Sequence, residues 1–368
     1  MARHSACILV CVLTVAGGPA LAQGPQPVNG DLIGAPASQY TVVSGDTLAT
    51  IARQAHIGYV ELLSANPALI STTIHPGETL TLPTQRLMPH LPDGDHPGII
   101  VNLAALRLFR VDAGGDVTTF PISVGKEGWD TPTGATQITT KRKDPTWTIP
   151  ASIRAQDPKL PAVVPAGPDN PLGQFAMNLG WPGYLIHGTN HPYSIGRPSS
   201  HGCMRLYPED IEALFNMSSV GDTVTVIDTP MTLGQAGGDL YLQVTPTRAQ
   251  AKEIAGFSQP EPLDENDPTV VAMKSQLSVL AGQGVHSDDT AVIGAIFRHD
   301  GMPVVIAHNL PSGLLAQSLH PAKVQLAQAP AAVATSPAAS PSLGAMFMRA
   351  VMTVIDGVSS LIHKLQST

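Results

Sequence analysis

The sequence predicts a mainly β chain led by a small strand–helix–helix–strand unit, and three observations carry that reading. From Pro97 to Asp228, short apolar runs alternate with Gly- and Pro-rich turns, the signature of strands joined by tight loops. Between Tyr40 and Pro83, residues at helical spacing lie between two strand-like runs. The composition agrees: 34 Gly and 34 Pro among 368 residues, with charged residues held to 13%.

At the N-terminus, Arg3 and His4 precede an apolar run from Ala6 to Val15, and Ala20-Leu21-Ala22 closes it as a small-residue cleavage site. Residues 1–22 therefore read as a secretory signal peptide, too short to span a bilayer comfortably. Residues 23–38, rich in Pro, Gly and Ala, read as a flexible leader. The compact unit covers 39–84. Tyr40–Val43 is a strand, Ser44-Gly45-Asp46 a turn suited to cap a helix, and Leu48, Ile51, Ala52 and Ala55 share a helix face. Tyr59–Ala65 reads as a second helix stopped by Asn66-Pro67, and Thr79–Leu82 as the closing strand.

The β-rich domain spans 97–228. Its strands are expected at Ile99–Asn102, Leu106–Val111, Val117–Val124, Gln137–Thr140, Phe175–Leu179, Gly183–Ile186 and Thr223–Ile227. A helix starts at Pro208, with Glu209 and Asp210 in its first turn and Ile211, Leu214 and Phe215 on one side. Residues 229–327 form an extension of unassigned role, with strand-like ends around a helix-like Arg248–Ala255. Residues 328–342 are an Ala/Pro/Ser linker. Over 343–366, Phe347, Val351, Val354, Val358, Leu361 and Leu365 recur at helical spacing, an amphipathic helix that folds back on the protein or lies against a membrane surface.

The formal net charge of −8 gives no basic surplus, which argues against nucleic acid as a partner. Of the three cysteines, Cys7 and Cys11 fall in the signal peptide. Cys203 is left as a thiol without an intrachain partner. Its surroundings point to chemistry. The run Tyr184-Leu185-Ile186-His187-Gly188 brings a histidine to the end of an apolar strand, and Ser199-Ser200-His201-Gly202-Cys203-Met204-Arg205 carries the thiol in a glycine-containing loop. A thiolate attacks a carbonyl, so an imidazole must take the thiol proton. His187 and His201 compete for that role, and His187, coming from a separate strand, is favoured. The amides of Gly202 and Cys203 face a developing oxyanion in this reading. Arg205 holds a substrate carboxylate or braces the loop. A zinc site built from His187, His191, His201 and Cys203 matches no usual ligand spacing.

Ile186-His187-Gly188 with Ser200-His201-Gly202-Cys203-Met204-Arg205 resembles the signature of L,D-transpeptidases with a YkuD catalytic domain. Thr131-Pro132-Thr133-Gly134, Asn170-Pro171-Leu172-Gly173 and the run from Arg205-Leu206 to Asp210-Ile211 support it. The leading unit resembles a LysM module through Tyr40-Thr41-Val42, Gly45-Asp46-Thr47-Leu48, Asn66-Pro67 and Leu80-Thr81-Leu82-Pro83. The likeness is greatest to the Gram-negative subgroup that anchors lipoproteins and cross-links stems, some members of which carry Ser where this chain has His201.

The resemblance implies a β-sandwich-like catalytic domain and a periplasmic enzyme with no cofactor or metal. It implies Cys203 as nucleophile, His187 as proton donor and acceptor, His201 in support, and Arg205, Gly188 and Ser200 facing substrate. The partners would be peptidoglycan glycan and stem peptides. Cys203 would take the acyl group of a tetrapeptide stem as a thioester, release D-alanine, and pass the acyl group to an amine: another stem's in a 3-3 cross-link, or a lipoprotein's lysine. Transfer to water would make the chain a carboxypeptidase or endopeptidase, and a degenerate site would leave a non-catalytic wall-binding protein. A LysM unit read as a separable module also predicts that removing Tyr40–Pro83 spares turnover of small soluble stems.

Overall fold

A computed structural model describes residues 26, 28–70, 73–91, 96–311 and 313–315. The expected signal peptide (1–22), linker (328–342) and amphipathic helix (343–366) lie outside them. Among the described residues no helix is long and apolar enough to cross a membrane.

The leading unit is built as its pattern requires. Strand β1 (Ser38–Thr41) pairs antiparallel with β2 (Thr79–Leu82), and helices α1 (Leu48–Gln54) and α2 (Tyr59–Ser64) lie between them in sequence. Thr47, just past the expected Ser44–Asp46 turn, caps α1: its hydroxyl accepts the Thr50 amide at 3.1 Å while the Thr50 hydroxyl accepts the Thr47 amide at 2.9 Å. Asp46 instead ties the turn, accepting the Tyr40 hydroxyl at 2.7 Å.

The second domain is one curled sheet of eight strands: β3 (Gly98–Asn102), β4 (Arg107–Val111), β5 (Val117–Pro121), β6 (Gly134–Lys143), β7 (Phe175–Leu179), β8 (Leu185–His187), β9 (Met204–Arg205) and β10 (Thr223–Ile227). The spatial order is β9-β8-β7-β6-β10-β3-β4-β5. Pairs β8–β9 and β10–β3 are parallel, and the remainder antiparallel. The sheet curls until its ends meet. Just past β5, Ser123 exchanges two backbone hydrogen bonds with Arg205 of β9, at 2.9 and 3.0 Å. This seam lies beside the candidate site. Helix α3 (Pro208–Met217) packs on β7, with the Phe215 and Phe175 rings 4.9 Å apart.

Two expectations are corrected. The leader is not flexible throughout, since Val28–Asn29 and Leu32–Ile33 form a hairpin paired to Arg86–Leu87, with Leu32 and Ile33 buried. The LysM-like unit is also not a separable bead. Its apolar residues and those of the curled sheet form one continuous core, from Ile51, Leu62 and Leu63 to Leu108, Phe120 and Met204. Glu61 of α2 reaches across to the buried Arg107 and to Arg86, the latter at 2.9 Å. Burial alone would raise the Glu61 pKa, but the two guanidinium charges and the Gly58 amide more than reverse that and hold it below the usual carboxylate range. Arg53 of α1 forms a two-pronged pair with Glu209 of α3 at 2.8 and 2.7 Å.

The extension contains a three-stranded sheet of β11 (Met231–Ala236), β12 (Asp239–Val244) and β13 (Val304–Ala307), with its own core against α5 (Pro268–Ala281) and α6 (Asp289–Arg298). Helix α4 (Arg248–Ala255) behaves differently. Its buried Ala251 and Ile254 belong to the core shared by the first two units.

Candidate active site

Strand pairing sets which side chains meet. In the β8–β9 register, Ile186 lies opposite Met204 and His187 opposite Arg205. Ile186 and Met204 are fully buried in the core. Side chains alternate along a strand, so Leu185, His187, Cys203 and Arg205 share the opposite face. All four line one cleft of about 460 Å³ with Trp129, Arg142, Trp147, Asn178, Tyr184 and His201.

His187 is 3% exposed. Its Nδ1 lies 2.7 Å from the Gly188 carbonyl oxygen. A carbonyl only accepts, so Nδ1 carries the proton and Nε2 keeps a lone pair. Burial, followed by the charge of Arg205, pushes the His187 pKa down to about 3, despite the carbonyls of Gly188 and Leu172. The imidazole is therefore neutral at any physiological pH.

Cys203 sits half-buried at the cleft floor, its Sγ 3.6 Å from the Gly183 carbonyl oxygen. Burial pushes its thiol pKa up, and the Leu185 amide and Arg205 recover part of the shift. At rest the cleft thus holds a neutral thiol and a neutral imidazole. Alkylation of Cys203 by iodoacetamide is expected to rise with a midpoint above the ~8.5 of an ordinary cysteine. A plateau already reached at pH 6 would mean a preformed thiolate and would refute this.

The turn before Cys203 is fixed from within. The Ser200 hydroxyl accepts the Gly202 amide at 3.1 Å and donates to the Cys203 carbonyl. The Thr131 hydroxyl donates to the Gly202 carbonyl at 2.8 Å. Three of the expected site residues have structural contacts of their own. The Gly202 amide is engaged by Ser200 and is not free for an oxyanion. Gly202 is instead required because φ is +102° and a Cβ there would lie 2.9 Å from the Tyr184 ring. Ser200 is fully buried, and its hydroxyl shapes the loop. Gly188 backs onto α3, where a Cβ would meet Ile211 at 3.0 Å, and its carbonyl orients His187.

His201 reaches the cleft beside Trp129, ring centroids 4.8 Å apart and edge to face. Burial, with the charges of Lys126 and Arg205, lowers its pKa. Arg205 also faces the cleft, and its buried Nε has no hydrogen-bond partner among the described residues.

Arg142 is the residue that sequence reasoning missed. It follows the expected strand Gln137–Thr140, in a Lys141-Arg142-Lys143 run to which the sequence reading assigns no role. The strand continues through it. Lys141 turns inward to cap the last carbonyls of α3, reaching that of Phe215 at 2.6 Å, while Arg142 lines the cleft with its buried Nε likewise unpartnered. Alternation within the run was the available signal. Among the described residues, no three His, Cys, Asp or Glu side chains gather as a metal-binding group.

The chain is 35% identical over 291 residues to the probable L,D-transpeptidase YcfS of Escherichia coli (strain K12), an alignment spanning 76% of this chain and 86% of that one. The chain belongs to the L,D-transpeptidase family. It is also 34% identical over 290 residues to the probable L,D-transpeptidase YbiS of the same strain, covering 76% of this chain and 90% of the relative. The L,D-transpeptidase catalytic domain model, YkuD, matches residues 96–226, and the LysM domain model matches 40–83. The expected pairing of a LysM unit with an L,D-transpeptidase domain, and the mainly β class, are thereby borne out. Within the L,D-transpeptidase domain, the cleft holding Cys203 and His187 lies beside the seam of the sheet.

Proposed function

We propose that this chain is a peptidoglycan L,D-transpeptidase that works through a Cys203 thioester, with His187 moving the proton. One observation carries this reading. The only cysteine among the described residues shares a cleft and a strand face with a buried histidine whose Nε2 is free to accept.

Each step balances. Cys203 Sγ attacks the carbonyl of the third stem residue as its proton passes to His187 Nε2. The C–N bond then breaks, the imidazolium protonates the departing D-alanine amine, and the thioester remains. An incoming amine attacks the thioester and yields its proton through His187, and sulfur leaves to recover a proton. The Cys203 amide is the candidate oxyanion donor of the loop. Arg205 and Arg142 suit the carboxylates that a stem with a diamino acid and a terminal D-alanine presents. Neutralising them would also remove charges that hold His187 down, making the base stronger once the donor is bound. His201 and Trp129 form the wall beside the thiol.

Peptidoglycan as substrate is supported by the LysM unit, whose Val43–Gly45 turn is exposed on the side away from its buried residues. It implies a periplasmic enzyme, with stem amine or lipoprotein lysine as acceptor. The test is mass spectrometry of the protein with a disaccharide-tetrapeptide, beside Cys203→Ala. D-Alanine release with a substrate dimer is the expected result. Release with tripeptide alone would indicate hydrolysis or a missing acceptor, and the absence of release would overturn the reading.

A further inference from the structure

We propose that helix α4 of the extension is a positioning element for the active-site cleft, with Arg248 holding the Lys126–Thr131 loop that forms one cleft wall; its kinetic consequence rests on the transpeptidase reading. The extension has its own sheet, helices and core, yet α4 leaves that core. Ala251 and Ile254 are buried in the core shared by the LysM unit and the catalytic sheet. There α4 packs on α2 and on the short strand Pro198–Ser200, which leads into the Cys203 turn.

The charged side of α4 grips the loop that runs on from the partner strand of Pro198–Ser200. Arg248 bridges two carboxylates, Asp130 at 2.8 Å and Asp228 at 2.9 Å. One turn on, Lys252 pairs with Glu127. Four of the six residues of the segment so held touch the site. The Lys126 amide donates to the Ser200 carbonyl at 3.0 Å, Trp129 packs on His201, the Asp130 carbonyl accepts the Tyr184 hydroxyl at 3.3 Å, and Thr131 holds Gly202. The pairs are half to largely exposed, so they add little to global stability. Their leverage is geometric: a small misplacement of a substrate-facing wall is felt in substrate binding long before the fold is affected.

The experiment compares the full chain with Arg248→Ala, Arg248→Lys, Asp130→Asn and the Arg248→Ala/Asp130→Asn double variant. KM and kcat are measured for a tetrapeptide donor, and acrylamide quenching of Trp129 is isolated by subtracting each protein's Trp129→Phe counterpart. The expected result for Arg248→Ala is a KM raised about fivefold, kcat within about twofold, stronger Trp129 quenching and an unchanged melting temperature. Arg248→Lys recovers part of both effects, because it keeps a charge facing one carboxylate. The double variant is no worse than Arg248→Ala, as expected for partners in one interaction. Parental KM and quenching in Arg248→Ala would overturn the proposal, as would a double variant whose effects multiply. If the parent releases no D-alanine, the transpeptidase reading fails while the quenching still decides whether α4 holds the wall. If Arg248→Ala does not fold, Asp130→Asn carries the same expectations.

Discussion

Cys203→Ser is expected to fold normally and to lose donor turnover by a factor on the order of 10⁴. Two features of the site make the loss severe. A hydroxyl is a far weaker acid than a thiol, so far more of the work of generating the nucleophile falls on the base. In the proposed mechanism that base is His187; burial with the charge of Arg205 holds its pKa down to about 3, so it would remove a proton only as the attack itself proceeds. A polarisable thiol tolerates such a weak partner, and a hydroxyl does not. The change is nearly isosteric, so the Ser200–Gly202 turn should survive it. D-Alanine release and the melting temperature are measured together. A folded serine variant within tenfold of the parent would show that Cys203 is not the attacking atom.

Removing Tyr40–Pro83 is expected to abolish folding of the remainder, contrary to what a detachable glycan-binding module would allow. Ile51, Leu62 and Leu63 leave the shared core, each worth about 1.5–3 kcal/mol when fully buried. Arg107, 2% exposed, loses both Glu61 and the His56 carbonyl, and wherever it stays covered it is an uncompensated charge, a loss of about 3–5 kcal/mol. Against a total stability of about 5–15 kcal/mol, the chain has no margin for both. Even the approach of Gly196 to α2 is close enough that a Cβ would lie 2.1 Å from the Tyr59 amide nitrogen. Circular dichroism and thermal melting of the shortened chain decide the matter. A cooperative transition near the parent's, with turnover of small stems, would show the interface to be dispensable.

The site was legible in the sequence where spacing is local, and less so where it depends on packing. Leu185-Ile186-His187 reads as a strand because apolar residues lead to its end, and the loop up to Cys203 announces itself by residue type. The structural contacts of Ser200, Gly188 and Gly202 are not legible in the sequence, for a shared reason. Lying next to the chemistry in sequence, they serve it from behind, by hydrogen bonds and close approaches that no one-dimensional pattern displays. Arg142 was hidden by its basic neighbours, since a run of three cations looks solvated until the pleat divides it. Strand β6 was cut short for the same reason: Thr139-Thr140-Lys141-Arg142-Lys143 is polar on both faces, and its extension is fixed by pairing with β7. In the extension, α5 escaped because its apolar residues do not share one face; Val271 and Val279 are exposed while Val270 and Met273 are buried. The union of the LysM unit with the sheet was invisible because it rests on contacts between distant positions, such as Glu61 with Arg107 and Arg53 with Glu209.

The half-buried, neutral state of Cys203 bears on the lifetime of the protein as well as on its rate. Oxidants, like electrophiles, react with thiolate, and the first rung of damage is sulfenic acid. A thiol whose ionisation is pushed upward by burial is a poor target for peroxide and for disulfide exchange while the cleft is empty. Slower oxidation of Cys203 by hydrogen peroxide than of an exposed cysteine is the expected consequence, read by mass spectrometry of the free protein. In the proposed mechanism the thiol's reactivity is kept for an acyl donor that brings both a carbonyl and carboxylates to the cleft's arginines.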